Sequence, residues 1–316
     1  MGQIILRRIA FTLPVLFGVT VVVFLLVRLL PGDIANYILG AGAPAEQVAA
    51  LRKELGLDGP WHEQYGIWLQ NTATGSFGYS NQYRRPVEEV IWPKLQNTLI
   101  LGAGGFSIAV FFGVSIGVFT GIRPNTWLDR VATTLSIVGA SVPAYWLGLV
   151  LMFIFALRLR WLPSSGMYAP VGGGGLIDLG RHMLLPAITI AAVPTAVISR
   201  LVRSTMIEEM SQDYIRTARS KGLNERRVVM VHAFRNAMPT TVNIVALQLG
   251  YVIGGSIFAE IIFSWPGMGS QLYSSIGARD AAVIQIITLM TAITFVTVNF
   301  IADISHSLID PRVRMV

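Results

Sequence analysis

Cysteine is absent from the 316 residues, which removes disulfides, thiol nucleophiles and cysteine-ligated metals or clusters together. Charge is scarce as well. Asp, Glu, Lys and Arg make up 13% of the chain, about half of the roughly 25% that a soluble domain carries. With 53% hydrophobic residues and a mean hydropathy of +0.60, the chain has too few charges to cover a water-exposed surface and reads as an all-α integral membrane protein. The four histidines, His62, His182, His232 and His306, lie far apart, and none has a partner at zinc-site spacing. No Gly-x4-Gly-Lys-Ser/Thr phosphate loop occurs. The run Gly172 to Gly175 has no Lys-Ser/Thr after it and no strand before it, so it reads as a flexible connection. Ser164-Ser165-Gly166 falls in a loop and no histidine is centred in an apolar segment, which speaks against an intramembrane serine protease. The net charge of +7 sits in short loops between apolar runs, where it sets membrane topology and does not bind nucleic acid.

A membrane span needs roughly 20 mainly apolar residues. Six segments qualify, at about 9–30, 96–121, 131–157, 183–205, 239–263 and 282–305. The first follows Arg7-Arg8 and lacks a small-residue cleavage site, so it is expected to stay as a helix and not to leave as a signal peptide. Pro186 and Pro194 interrupt the fourth segment; Gly250, Gly254 and Gly255 loosen the fifth and favour close helix packing there. With the N-terminus placed inside, the inside pieces carry Arg7 and Arg8; Arg123 and Arg130; Arg200, Arg203, Arg216, Arg219, Lys221, Arg226, Arg227 and Arg235; and Arg312 and Arg314. These pieces are shorter and more densely basic than the outside ones, which puts both termini in the cytoplasm.

The outside segment 31–95 is too long for a turn. Pro44 opens a helix with the stripe Val48, Leu51 and Leu55 and a stop at Gly56, and Pro60 opens a second with Trp61, Tyr65 and Trp68 on one side. This is a small external helical subdomain at the membrane surface, either plugging the outer face or serving as a docking surface. Ionisable residues in spans are costly and mark pathways. Glu260 is a candidate gate or pathway residue, or else an interfacial residue reaching water. Asp303 is expected to pair with a basic residue. Asn243, Gln248, Ser256 and Asn299 are candidate pathway-lining residues that face either a pore or a partner helix.

The inside segment, about 206–238, carries the most information. Ser211 is the expected N-cap, and Asp213 places negative charge in the first turn, where the helix dipole favours it. Ile215, Ala218 and Gly222 fall at i, i+3 and i+7 as a narrow small-residue face suited to a groove on a partner, and Arg216 and Arg219 stand beside it. Gly222 ends the helix and Asn224, with Glu225 behind it, caps the next.

The order of residues then resembles a known family. Asp213-Tyr-Ile-Arg-Thr-Ala-Arg-Ser-Lys-Gly222, followed by His232-Ala-Phe-Arg-Asn-Ala237, is similar to the cytoplasmic loop of ABC importer permeases, and more narrowly to the dipeptide/oligopeptide branch that includes nickel, glutathione and opine importers. The likeness covers essentially the whole chain. It runs through Leu6-Arg7-Arg8, Pro31-Gly32-Asp33, Glu54-Leu-Gly-Leu-Asp58, Gln64-Tyr65, His182-Met-Leu-Leu-Pro186, Phe263-Ser-Trp-Pro-Gly-Met-Gly269, Arg279-Asp280 and Asp310-Pro311-Arg312. It departs where Pro239 arrives one residue early and where Ile34 follows Asp33 in place of a common proline.

The resemblance implies a type I importer permease fold: tail and first transmembrane helix 1–30, external subdomain 31–95, a five-helix core 96–305 with coupling segment 206–238, and a cytoplasmic tail 306–316. It implies that Asp213, Tyr214, Arg216, Thr217, Ala218, Arg219, Lys221 and Gly222 form a coupling helix fitting a cleft on an ATPase, the basic residues meeting acidic or backbone acceptors there. No cofactor is expected in this chain, because ATP and Mg would be bound by partners. Those partners are two ATP-binding subunits, a second homologous permease subunit and an extracytoplasmic substrate-binding protein, all at the bacterial inner membrane. The implied function is an ATP-driven importer of short peptides, with nickel chelates, glutathione, opines or oligosaccharides as alternative solutes. A stand-alone channel or membrane enzyme is the remaining alternative.

Overall fold

The computed structural model describes residues 2–29, 42–54 and 58–309. Pro31-Gly32-Asp33, Ile34, Leu55, Gly56, Asp310-Pro311-Arg312 and Arg314 lie outside the described residues, as do the side chains of Arg7, Arg8, Leu51, Asp303 and His306. In chain order the helices are α1 (Gly2–Leu29), α2 (Ala45–Glu54), α3 (Trp61–Ala73), α4 (Val87–Ile122), α5 (Trp127–Ser141), α6 (Ala144–Leu151), α7 (Gly175–Met210), α8 (Asp213–Ser220), α9 (Glu225–Arg227), α10 (Phe234–Ile262), α11 (Met268–Gly277) and α12 (Ala281–Ile309). A π-helical stretch, Met152–Arg158, extends α6, and another, Val228–Ala233, leads into α10. Strands β1 (Tyr79–Ser80) and β2 (Arg85–Pro86) pair antiparallel just before α4.

Five of the six expected apolar segments each coincide with one apolar helix. Among the described residues α4, α7, the run Glu225–Ile262 and the part Ala281–Ala302 of α12 are long and apolar enough to cross a membrane, and α1 is apolar over Ala10–Leu26. The third segment differs from the expected single span. α5 and the Ala144–Arg158 helix form a pair bent by 108°. The break falls at Pro143, which cannot donate a backbone hydrogen bond, and Val142 before it is extended (φ −77°, ψ 126°), as pre-proline sterics favour. Conversely, α7 runs unbroken through Pro186 and Pro194. Both are buried among neighbouring helices, but burial alone does not decide the outcome, because exposed Pro14 and Pro93 also lie within unbroken α1 and α4.

The chain divides into two compact units. One comprises residues 1–97 and 266–296. There the Tyr65 and Trp68 rings stack on α1, 5.4 and 5.8 Å from the Phe24 ring, and the Thr20 and Tyr65 hydroxyls are 2.7 Å apart. Trp61, expected on the same face, is instead well exposed. Val87, Ile91, Met268, Val283, Ile286 and Ile287 form the apolar core beneath the β1–β2 ribbon. Asp280 ties this unit together. Its fully buried carboxylate accepts from the Ser80 hydroxyl at 2.5 Å, the Gln82 N–H at 3.1 Å and the Val283 N–H at 3.4 Å, capping α12 and fixing the ribbon with one side chain.

The second unit comprises 98–265 and 297–316 and is organised around α7. That helix buries 61% of its most apolar window against 28–33% for the other long helices. The expected tight packing at Gly254 and Gly255 is not found: a methyl group added at either would meet nothing within 4 Å. Close approach occurs on α4 instead. A Cβ at Gly105 would lie 2.4 Å from the Ile190 side chain, at Gly113 2.8 Å from Ile198, at Gly117 2.7 Å from the Ser199 carbonyl oxygen, and at Gly121 2.5 Å from the Met206 Cβ. These glycines form a small-residue stripe that sets α4 directly on the α7 backbone. The loop 172–175, expected to be flexible, is pinned: the Asp178 carboxylate accepts from the Ala169 N–H at 2.9 Å and the Gly174 N–H at 3.0 Å.

Candidate functional site

The segment joining α7 to α10 folds as its local chemistry dictates. Gln212, in extended conformation, is the N-cap of α8, not Ser211 as expected. The Ser211 hydroxyl donates to the Glu208 carbonyl at 2.7 Å and so closes α7 instead of opening α8. Asp213 sits in the first turn. The helix stops at Gly222, whose φ of +75° is costly for a side-chain-bearing residue. The Gly222 N–H donates to the Arg219 carbonyl at 2.9 Å and the Leu223 N–H to the Ala218 carbonyl at 3.4 Å, closing the exposed end of the helix. Asn224 then caps α9, its side-chain oxygen accepting from the Arg226 N–H at 2.9 Å. Arg219 spans the turn with two bonds to the Glu225 carboxylate, 3.1 and 2.6 Å, and this partner holds its guanidinium still more firmly protonated.

Burial reverses one expectation. The small-residue face, Ile215 at 0% and Ala218 at 7% exposure, is not free for a partner. It packs into a core with Val202, Met206, Val228, Val229, Ala233 and Ala237. α8 carries apolar side chains on one narrow stripe, and the end of α7 together with the π-helical turn brings enough apolar surface to cover it. What remains outward is the polar face: Asp213, Arg216, Thr217, Arg219, Lys221 and Gly222 are exposed. Tyr214 is half-exposed; its hydroxyl donates to the Glu209 carboxylate, and burial pushes the phenol up. Arg216 lies 3.5 Å from the Asp213 carboxylate with both side chains almost wholly in solvent, so it remains available, whereas Arg219 is engaged within the chain.

The candidate pathway residues do not gather on one face. Glu260 is 0% exposed and accepts from the Thr98 hydroxyl at 2.7 Å, which overturns the reading in which it reaches water. Ser256 is buried and its hydroxyl donates to the Ile253 carbonyl of its own helix at 2.8 Å. Asn243 and Gln248 are half-buried on α10 and stand about 140° apart around it. Asn299 is half-buried on α12.

Asp129 is a further buried charged residue of the second unit that no sequence motif marks. The Arg203 guanidinium grips its carboxylate with two bonds, Nε to Oδ1 at 2.5 Å and Nη2 to Oδ2 at 2.8 Å, and the Asn125 N–H donates to the same carboxylate at 2.8 Å. One signal was present: an acid inside an otherwise basic loop, three residues after the N-cap Thr126.

Residues 113–315 match the model of the binding-protein-dependent transport system inner membrane component, and residues 1–102 match the N-terminal model of the same component. The glutathione transport system permease protein GsiC of Salmonella typhimurium strain LT2 is 40% identical over 310 residues, covering 98% of both chains. The dipeptide transport system permease protein DppB of Alkalihalophilus pseudofirmus is 37% identical over 327 aligned positions, again covering 98% of both. Among solved structures, a chain of the MetNI methionine ABC transporter in inward-facing conformations superposes with a TM-score of 0.53 at 19% identity, over 70% of this chain and 95% of that one, which establishes a shared type I importer permease fold. The chain therefore belongs to the binding-protein-dependent transport system inner membrane components, the permease subunits of ABC importers.

Proposed function

We propose that this chain forms half of the translocation pathway for short peptides, beside a second homologous permease, and is driven by two ATP-binding subunits that dock on the polar face of α8. ATP and Mg are held by those subunits, and a substrate-binding protein delivers the solute from outside. Both termini lie on the cytoplasmic side, which the dense basic residues between α7 and α10 support.

The anchorage of α8 carries this reading. A docking helix transmits force only if it is rigidly attached to what must move. Ile215 and Ala218 seal α8 onto the end of α7, the Arg219–Glu225 pair locks the turn, and polar groups are left outward for a partner. Closure of the ATP-binding subunits then displaces α8 and α7 together, and the helices packed on α7 follow. Short peptides are the substrate class because the full-length relatives are named for glutathione and dipeptide transport. Mild detergent extraction of the chain from its native membrane, followed by identification of what co-purifies, tests the assembly. Recovery of a related permease and ATP-binding subunits, with hydrolysis stimulated by a binding protein loaded with glutathione or a dipeptide, is expected. Recovery of the chain alone, under conditions that keep other membrane complexes intact, would contradict it.

A further inference from the structure

α5 attaches to α7 in an unusual way for a membrane helix. Leu135, Ile137 and Val138 are each more than half exposed, and the single residue of α5 that is fully buried is an acid, Asp129 at 2% exposure. Its carboxylate receives both prongs of the Arg203 fork from α7. Two turns further along α5, the Ser136 hydroxyl lies 3.0 Å from that of Ser199, one turn from Arg203 on α7. The α5–α7 seam thus carries polar ties beside the small-residue approach of Gly139 to Ala196, where an added methyl would lie 4.0 Å from the Ala196 Cβ. A bidentate guanidinium–carboxylate pair in a half-dry site has one preferred geometry and resists sliding, which interchangeable apolar contacts do not.

The position of the pair matters as much as its chemistry. Arg203 precedes Met206 by one turn, and Met206 is fully buried in the core that receives Ile215 and Ala218 of α8. A displacement of α8 therefore reaches Arg203 through one turn of continuous helix. Asp129 sits at the opposite end of α5 from the 108° bend at Pro143. We propose that Asp129 and Arg203 are positioning residues that carry movement of the coupling helix into α5 and so to its bent partner α6, making α5 and α8 one rigid body. This rests on the importer reading above, but the rigid-body claim can be measured apart from it.

The chain contains no cysteine, so Gln212→Cys at the N-cap of α8, outside the docking face, and Ser141→Cys at the end of α5, both exposed, accept spin labels cleanly. The interlabel distance distribution is measured by pulsed electron resonance in the purified chain. In the assembled complex it is measured without nucleotide and with ATP and vanadate. A narrow distribution, unchanged between nucleotide states, is expected for the parent. With Asp129→Asn added, the distribution should broaden in the isolated chain and become nucleotide-dependent in the complex. Glutathione uptake per ATP hydrolysed should fall about fivefold or more, the low end of ordinary inter-site coupling. Arg203→Lys, which keeps the charge but loses the fork, should fall between parent and Asp129→Asn and guards against simple misfolding. An unaltered distribution in both variants, with an unaltered uptake-to-hydrolysis ratio, overturns the proposal. Failure of the importer reading would show differently, as parent material without ATPase activity whose label distribution is still narrow and still broadened by Asp129→Asn.

Discussion

Gly117→Ala and Gly254→Ala are the same substitution on two long helices, and the structure assigns them opposite signs. In a helix interior, replacing glycine by alanine gains about 1 kcal/mol, because the unfolded chain has less backbone freedom to lose. At Gly254 nothing lies within 4 Å of the added methyl, and its neighbours along that face, Leu247, Tyr251 and Phe258, are open. The isolated chain should keep the whole gain there. At Gly117 the methyl would lie 2.7 Å from the Ser199 carbonyl oxygen and 2.7 Å from the Val202 Cβ. Neither belongs to a flexible side-chain end, so α4 and α7 must separate, and overpacking of this kind costs about 1–3 kcal/mol. The two variants should therefore differ by about 1–3 kcal/mol, Gly254→Ala being the more stable. Reversible unfolding of the purified chain in mixed micelles, titrated with a denaturing detergent and followed by tryptophan fluorescence, reads the difference directly. If Gly117→Ala gains stability as Gly254→Ala does, the glycine stripe does not set the approach of α4 to α7, and the account of the bundle fails.

Other outcomes follow from the same geometry. Ala218→Leu should destabilise the isolated chain by about 1–3 kcal/mol, because Ala218 lies in the chain's own core. Arg216→Glu should leave its melting within about 0.5 kcal/mol yet reduce recovery of ATP-binding subunits. Gly222→Ala should cost about 1–2 kcal/mol for its left-handed backbone, with Gly222→Asn closer to the parent, as thermal melts of the two would show. Asp280→Ala removes the acceptor of the Ser80 hydroxyl and the Gln82 N–H. Leaving such groups unmet costs about 1–3 kcal/mol each, so limited proteolysis should cut faster within the β1–β2 ribbon.

The sequence made the apolar segments, the family and the helix–turn–helix after α7 legible, because each rests on local signals: hydropathy, turn glycines and capping side chains. Gly222 and Asn224 act as their residue types demand. What local patterns could not supply was who covers whom. Ile215 and Ala218 form a stripe in either reading, and only the fold shows that Met206 and the π-helical turn reach it before any partner does. The prolines are no better guide by themselves: Pro186 and Pro194 lie within unbroken α7 and exposed Pro93 within unbroken α4, whereas the chain bends at Pro143. The glycines of α4 and α10 look alike in sequence, and the register of α4 on α7 decides that the first set is in contact and the second open. Asp129 and Arg203 are 74 positions apart, a distance at which no motif signals a pair.

The central claim is that the polar face of α8 meets an ATP-binding subunit. A photo-crosslinking amino acid placed at Thr217, and separately at Arg216 and Lys221, in cells expressing the whole transporter tests it most directly. All three positions are exposed, so the probe itself should not disturb the fold. Light-dependent crosslinks from these sites to an ATP-binding subunit, absent when the same probe replaces exposed Tyr273 on α11, are the predicted result. Crosslinks from Tyr273 to that subunit with none from α8 would contradict the account.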